Sequence, residues 1–176
     1  LRSRISFAPS GNRLTKQLIS RNADEIQAYL RDRGYFNATV EPVEQLGPRG
    51  LRATVTYKVT PGEQAKVEKF DIQIAGFNPS VVHDSLTLQP QVAFTRDALG
   101  EDVKRVRDAL IASGYLAPVL DDARVERDAD KNTVKIFLKG SVGPKVSVAV
   151  KNYEISDKTQ RELLPVKREG NVDFSA

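Results

Sequence analysis

The chain has 176 residues, 27 of them basic and 23 acidic, for a formal net charge of +4, with 40% apolar and 28% charged residues. It has no Cys and a single His, which excludes disulfides, cysteine nucleophiles, thiolate metal sites and multi-histidine sites. No apolar run approaches the ~20 residues of a membrane-spanning helix. No dense Lys/Arg run or basic–aromatic stripe marks a nucleic-acid footprint, so the charge reads as mixed solvated surface.

Leu1 replaces an initiator Met, and no n-region and h-region of a signal peptide follow it, which reads as a processed chain or a piece of a longer one. Arg4-Ile5-Ser6-Phe7 reads as the stub of a first strand. From Leu14, apolar residues at Leu18, Ile19, Ala23, Ile26 and Leu30 form one face of a long helix. Gly34 sits where a helix C′ residue turns left-handed, and Tyr35-Phe36 follow as apolar plugs under the helix end. Ala38, Val40, Pro42 and Val43 then lead through the turn Gly47-Pro48-Arg49-Gly50 into Ala53, Val55, Tyr57 and Val59. This is a period-2 hairpin closed by Pro61-Gly62.

A further strand carries Val67, Phe70, Ile72 and Ile74 into Gly76. Asn78-Pro79 caps a short helix containing Val81, Val82 and Leu86. The pattern then repeats. Shifted by 80 positions, from Gly34 to Gly114, the segment from Phe94 to Leu120 aligns without a gap with the one from Leu14 to Val40. Thr15/Thr95, Leu30/Leu110, Gly34/Gly114 and Tyr35/Tyr115 are identical, and Ile19/Leu99, Ala23/Val103 and Ile26/Val106 keep their apolar character.

A second hairpin follows, with Val119, Ala123 and Val125, a polar turn from Asp128 to Asn132, and Val134, Ile136 and Leu138 alternating with Lys135, Phe137 and Lys139. Val146, Val148 and Val150 suggest another first strand, Ser156 another N-cap, and Val172-Asp173-Phe174-Ser175 the approach to another long helix.

The expected architecture is therefore α+β: tandem βααββ modules, each a three-stranded mixed sheet covered on one face by two helices. Residues 1–64 form a partial first module, 65–143 a complete one, and 144–176 the start of a third. Short Pro- and Gly-bearing spacers predict a semi-rigid rod that bends at the joints.

A three-stranded sheet has two edges to manage. The first hairpin strand of copy one carries Pro42. Its counterpart, from Val119 to Arg127, has Pro118 only at its start. Val119, Asp121, Ala123, Val125 and Arg127 mark this strand as a candidate seat for an extended client segment held by main-chain hydrogen bonds. The alternative is that its charges, Asp121, Asp122, Arg124, Glu126 and Arg127, blunt the edge against partners.

The run Gly34-Tyr35-Phe36 with Ala38 and Val40, then Val55 to Val59 with Pro61-Gly62, then Val67, Phe70 to Ile74 and Gly76, resembles the polypeptide-transport-associated (POTRA) domains of the outer-membrane barrel-assembly and translocation superfamily, the Bam- and Tam-type proteins. Gly114 and Tyr115 repeat the motif. Copy two departs from the family pattern at Leu116 and Pro118, and Phe77 stands between Gly76 and Asn78. The resemblance implies a periplasmic, non-catalytic array without cofactor. Its implied partners are unfolded outer-membrane or secreted polypeptides, accessory assembly proteins, and a C-terminal β-barrel of the same protein. No nucleic acid is implied.

The residues themselves offer no phosphate loop, metal spacing or nucleophile constellation. Asp121-Asp122 reads as solvated edge, because adjacent strand residues face opposite ways. His83 reads as a surface or partly buried structural residue. Two other classes stay open: a scaffold module binding one folded partner, and an RNA-binding α+β module, for which Phe137 is the only clear outward aromatic of the second hairpin.

Overall fold

A computed structural model of the chain describes residues 15–47, 53–115, 117–143, 156 and 159. The expected stub at Arg4 to Phe7, most of the turn from Gly47 to Gly50, Leu116 and almost all of the third copy lie outside the described residues. Of the third copy, Ser156 is described, and its Oγ accepts from the Thr159 N–H at 3.2 Å, the cap geometry its sequence suggests.

The first unit is helix α1 (Lys16–Asp32) and an antiparallel hairpin of β1 (Thr39–Leu46) and β2 (Ala53–Thr60). Thr15 caps α1 by accepting from the Leu18 N–H at 3.2 Å. Ile19, Ala23 and Ile26 are buried on the helix face their spacing marks. The Gln27 amide donates to the Ala38 carbonyl at 2.6 Å and ties the helix to the start of β1.

The second unit contains β3 (Lys66–Ala75), α2 (Ser80–His83), α3 (Arg96–Ala112), β4 (Val119–Leu120), β5 (Arg124–Asp128) and β6 (Thr133–Ser141). Strand β6 is central. It pairs parallel with β3 and antiparallel with β4 and β5, so the sheet is mixed. Thr95 caps α3 as Thr15 caps α1, accepting from the Ala98 N–H at 3.1 Å. Phe94 before the cap and Leu99 in the first turn bury together, a hydrophobic staple that sets the entry angle of the helix.

The core is one layer between the sheet and α3. Val134, Ile136 and Leu138 are fully buried along β6; Val134 and Ile136 cluster with Leu99 of α3, and Leu138 clusters with Val106 and Leu110 of the same helix. Each such side chain contributes about 1.5–3 kcal/mol by leaving water. In β3 the apolar residues run Val67, Phe70, Ile72, Ile74. The opening three-residue step is a bulge: the register with β6 shifts between Val67 and Lys69, which returns Phe70 to the inner face.

The sequence treats Val119 to Arg127 as a single strand, but the structure divides it. Leu120 pairs with Gly140 and Arg124 with Phe137, so Asp121, Asp122 and Ala123 stand opposite only Leu138 and Lys139. The Asp121 N–H still donates to the Lys139 carbonyl at 3.0 Å. Two adjacent carboxylates do not fit a flat ladder, and a bulge lets both reach water. The argument that they face opposite ways as neighbours on a strand therefore does not apply, although both are exposed.

Candidate docking edge and the joint beside it

Among the described residues, β4 and β5 pair with β6 and with no other strand, which leaves their outer side as a sheet edge. The opposite edge, β3, is covered at its start. The Val67 N–H donates to the Val92 carbonyl and the Gln91 N–H to the Val67 carbonyl, each at 2.8 Å.

The five residues marked by the sequence differ in their surroundings. Val119 is 62% exposed. Asp121 is exposed in the bulge, and Ala123 and Val125 are half-buried against the core. The fifth, Arg127, is turned to another task. Its Nη2 donates to Asn37 Oδ1 of the first unit at 2.7 Å, and its guanidinium lies 5.2 Å from the centroid of the Phe36 ring. The available edge thus runs from Val119 to Glu126, and its far end is tied to the neighbouring unit.

Phe36 also departs from its expected place. It packs against the core cluster of the second unit, its ring stacked on Phe94 with centroids 6.0 Å apart. Tyr115, the copy-two counterpart of Tyr35, stays within its own unit, packs against Ile72 and its neighbours, and donates to the Gly76 carbonyl at 3.3 Å, while Leu116, the counterpart of Phe36, lies outside the described residues.

Around Phe36 the two units are tied by backbone and side-chain contacts. The Ala65 N–H donates to the Gly34 carbonyl at 2.9 Å. Gln64 Nε2 donates to the Arg33 carbonyl at 2.7 Å and the Phe94 carbonyl at 3.3 Å. Arg96 pairs with Asp32 at 3.0 Å, and Asn132 Nδ2 donates to the Glu63 carbonyl at 3.2 Å. Gly34 has φ +82, and a Cβ there would fall 2.4 Å from the Phe94 carbonyl oxygen. Glycine is thus needed twice over, for its left-handed backbone and for the close approach. Gly62 and Gly76 also have positive φ, as the turn reading expects.

One buried carboxylate was not read from the sequence. Asp102 of α3 is fully buried and accepts from the Thr87 N–H at 2.9 Å and the Leu88 N–H at 2.8 Å, with Arg105 as its ion-pair partner. It fastens the α2–α3 loop to the long helix. Its counterpart in copy one, Asn22, is also buried. A polar residue inside the apolar stripe at the same place in both copies was the available signal.

The face of the sheet away from the helices is polar. Lys135 hydrogen-bonds Glu68 and holds its carboxyl below the usual 4.5, and Lys69 does the same to Asp71, below 3.8, each against a desolvation effect that raises it. Phe137 is half-buried there, with Lys69 Nζ 5.7 Å from its ring centroid. His83 is exposed, as expected, and borders a depression of about 200 Å³ between β3 and α2. Among the described residues no cluster of His, Asp and Glu could hold a metal ion, and no helix is long and apolar enough to cross a membrane.

Chemically, the β4–β5 edge offers main-chain donors and acceptors flanked by an Arg124–Glu126 pair at 2.8 Å and a bulge. These features define a tandem of small α+β units with a mixed sheet, an open β4–β5 edge and a tight link between units. The chain belongs to the POTRA family, whose profile, described as a surface antigen variable number repeat, matches residues 1–62 and 66–139.

Among solved structures, the chain is similar to POTRA3–5 of Haemophilus influenzae BamA, at 20% identity over 91% of this chain and 68% of that one, with a TM-score of 0.48. POTRA1–3 of Omp85 from Anabaena matches at 17% identity over 78% of this chain and 54% of that one, with a TM-score of 0.40. BamA from Haemophilus ducreyi lacking POTRA domains 1–3 matches at 18% identity, with a TM-score of 0.45, and this chain covers 24% of it. No curated protein matches the chain.

Proposed function

We propose that this chain is a non-catalytic periplasmic array of an outer-membrane protein assembly or translocation factor. Its units would be residues 1–64, 65–143 and the start of a third at 144–176. It would receive unfolded outer-membrane or secreted polypeptides by adding a client strand to the β4–β5 edge and pass them toward a β-barrel of the same protein. Accessory assembly proteins would dock elsewhere on the array.

Family membership supports the setting. The observation that carries the client role is the edge itself: β4 and β5 pair on one side only, among the described residues, and Pro118 precedes rather than interrupts them. An added strand uses backbone groups that every client has, so this mode suits many unrelated sequences.

The test is a titration of isotope-labelled protein with an extended Thr/Val-alternating peptide, followed by amide shifts. Shifts concentrated at 119–126 are the expected result. Shifts scattered over the helix faces, or none at millimolar peptide, would defeat the reading.

A further inference from the structure

The residue that closes the docking edge is also a residue of the joint. Arg127 belongs to β5, where it pairs with Val134. Directly paired residues share a face, and Val134 lies in the cluster that receives Phe36. The Arg127 side chain therefore leaves the edge strand toward the first unit, reaching Asn37 Oδ1 at 2.7 Å and the Phe36 ring at 5.2 Å. Both partners immediately follow the Gly34 turn, whose carbonyl accepts from the Ala65 N–H.

We infer that occupancy of the β4–β5 edge and the setting of the joint are coupled through Arg127, so that a docked client strand tightens the link between the two units. This rests on the docking reading above. The coupling needs two arrangements with different affinities for the client. In one, Arg127 is clasped to Asn37 and Phe36, and β5 is held in ladder geometry up to its last residues. In the other the clasp is open and the end of β5 is free to fray from the ladder. An added strand bonds only to an ordered β5, so it favours the clasped form. By reciprocity, the clasp favours the strand by the same factor.

Asn37 allows the coupling to be tested from outside the edge, since it belongs to the first unit. Binding of the Thr/Val peptide is measured for the wild-type chain, Asn37→Ala, Arg127→Ala and the double variant. The relative alignment of the two units is measured for each from residual dipolar couplings without peptide. The expected result is about fivefold weaker binding for either single variant, a size typical of coupled sites. The double variant should be no weaker than Arg127→Ala alone, and alignment between the units should loosen in all three variants without being lost, because the Phe36–Phe94 stack and the Gly34–Ala65 hydrogen bond remain. Asn37→Asp, which offers Arg127 a carboxylate, should move affinity the opposite way.

If Asn37→Ala and Asn37→Asp bind the peptide as tightly as wild type while shifts at 119–126 persist, the coupling is wrong and the docking reading survives. Independent, additive losses in the two single variants would also overturn the coupling. If the wild-type chain shows no shifts at 119–126, the docking reading itself falls and the coupling falls with it.

Discussion

The Phe36 ring of the first unit stacks on the Phe94 ring of the second at 6.0 Å and 23°, so the helix end of one unit completes the core of the next. The link is therefore held by packing as well as by chain connectivity. Phe36→Ala is expected to lower the stability of the second unit by about 2 kcal/mol, in the lower part of the range for burying a large apolar side chain because Phe36 is only partly buried. Urea unfolding, with amide signals followed separately for each unit, checks this. An equal loss confined to the first unit would point to Phe36 serving only its own core.

Gly34 and Gly62 both have positive φ, but their surroundings differ. A Cβ at Gly62 would meet Asn37 Cβ at an ordinary 3.6 Å, whereas at Gly34 it would strike the Phe94 carbonyl oxygen. Gly62→Ala should cost about 1–2 kcal/mol, the penalty of a left-handed backbone for a residue with a Cβ. Gly34→Ala should cost clearly more and should also separate the units. Thermal unfolding of both variants, with the alignment of the units measured in each, makes the comparison.

Asp102 accepts two backbone N–H groups of the α2–α3 loop with no exposure to water. Asp102→Ala leaves both donors and the Arg105 charge without this acceptor and is expected to cost about 3 kcal/mol. Loss of amide protection at Thr87 and Leu88 should accompany it. The Arg96–Asp32 pair, with side chains 70% and 42% exposed, stands in contrast: Asp32→Ala should change stability by less than about 1 kcal/mol.

Glu68 and Asp71 both titrate below their ordinary values of 4.5 and 3.8, chiefly through hydrogen bonds from Lys135 and Lys69. The folded chain binds fewer protons at these groups than the unfolded chain. The stability they contribute is present above the ordinary carboxylate values and is lost as pH falls through the lowered ones. Stability should therefore decline on acidification below those values, and Glu68→Gln with Asp71→Asn should flatten the decline in pH-dependent urea unfolding. An unchanged slope would assign the acid sensitivity to other carboxylates.

Much of the fold was legible because periodicity is local. The stripe Ile19, Ala23, Ile26 and the alternation Val134, Ile136, Leu138 state which faces are buried without reference to the rest of the chain. The 80-residue shift from Gly34 to Gly114 then gave the unit. The irregularities were harder to read. The Val67 to Phe70 step carried the bulge in β3 in plain view, while the break at Asp121 to Ala123 was hidden by treating Val119 to Arg127 as one strand.

The joint was not legible, because its contacts pair residues far apart in sequence, such as Asn37 with Arg127. A surface charge that reaches a neighbouring unit has the same local pattern as one that only meets water. The residues of the candidate docking edge differ in their surroundings. Val119, Asp121, Ala123 and Val125 lie along the open side, whereas Arg127 is engaged elsewhere.

The central claim is that this edge is recognised through backbone, and N-methylation tests it most directly. A Thr/Val peptide is compared with the same peptide N-methylated at every residue, which removes the donors of both its edges. The account expects the methylated peptide to lose binding at 119–126, because an added strand is held to β4–β5 by main-chain hydrogen bonds. Equal binding by both would mean that side chains rather than main chain hold the client, and the account would be contradicted.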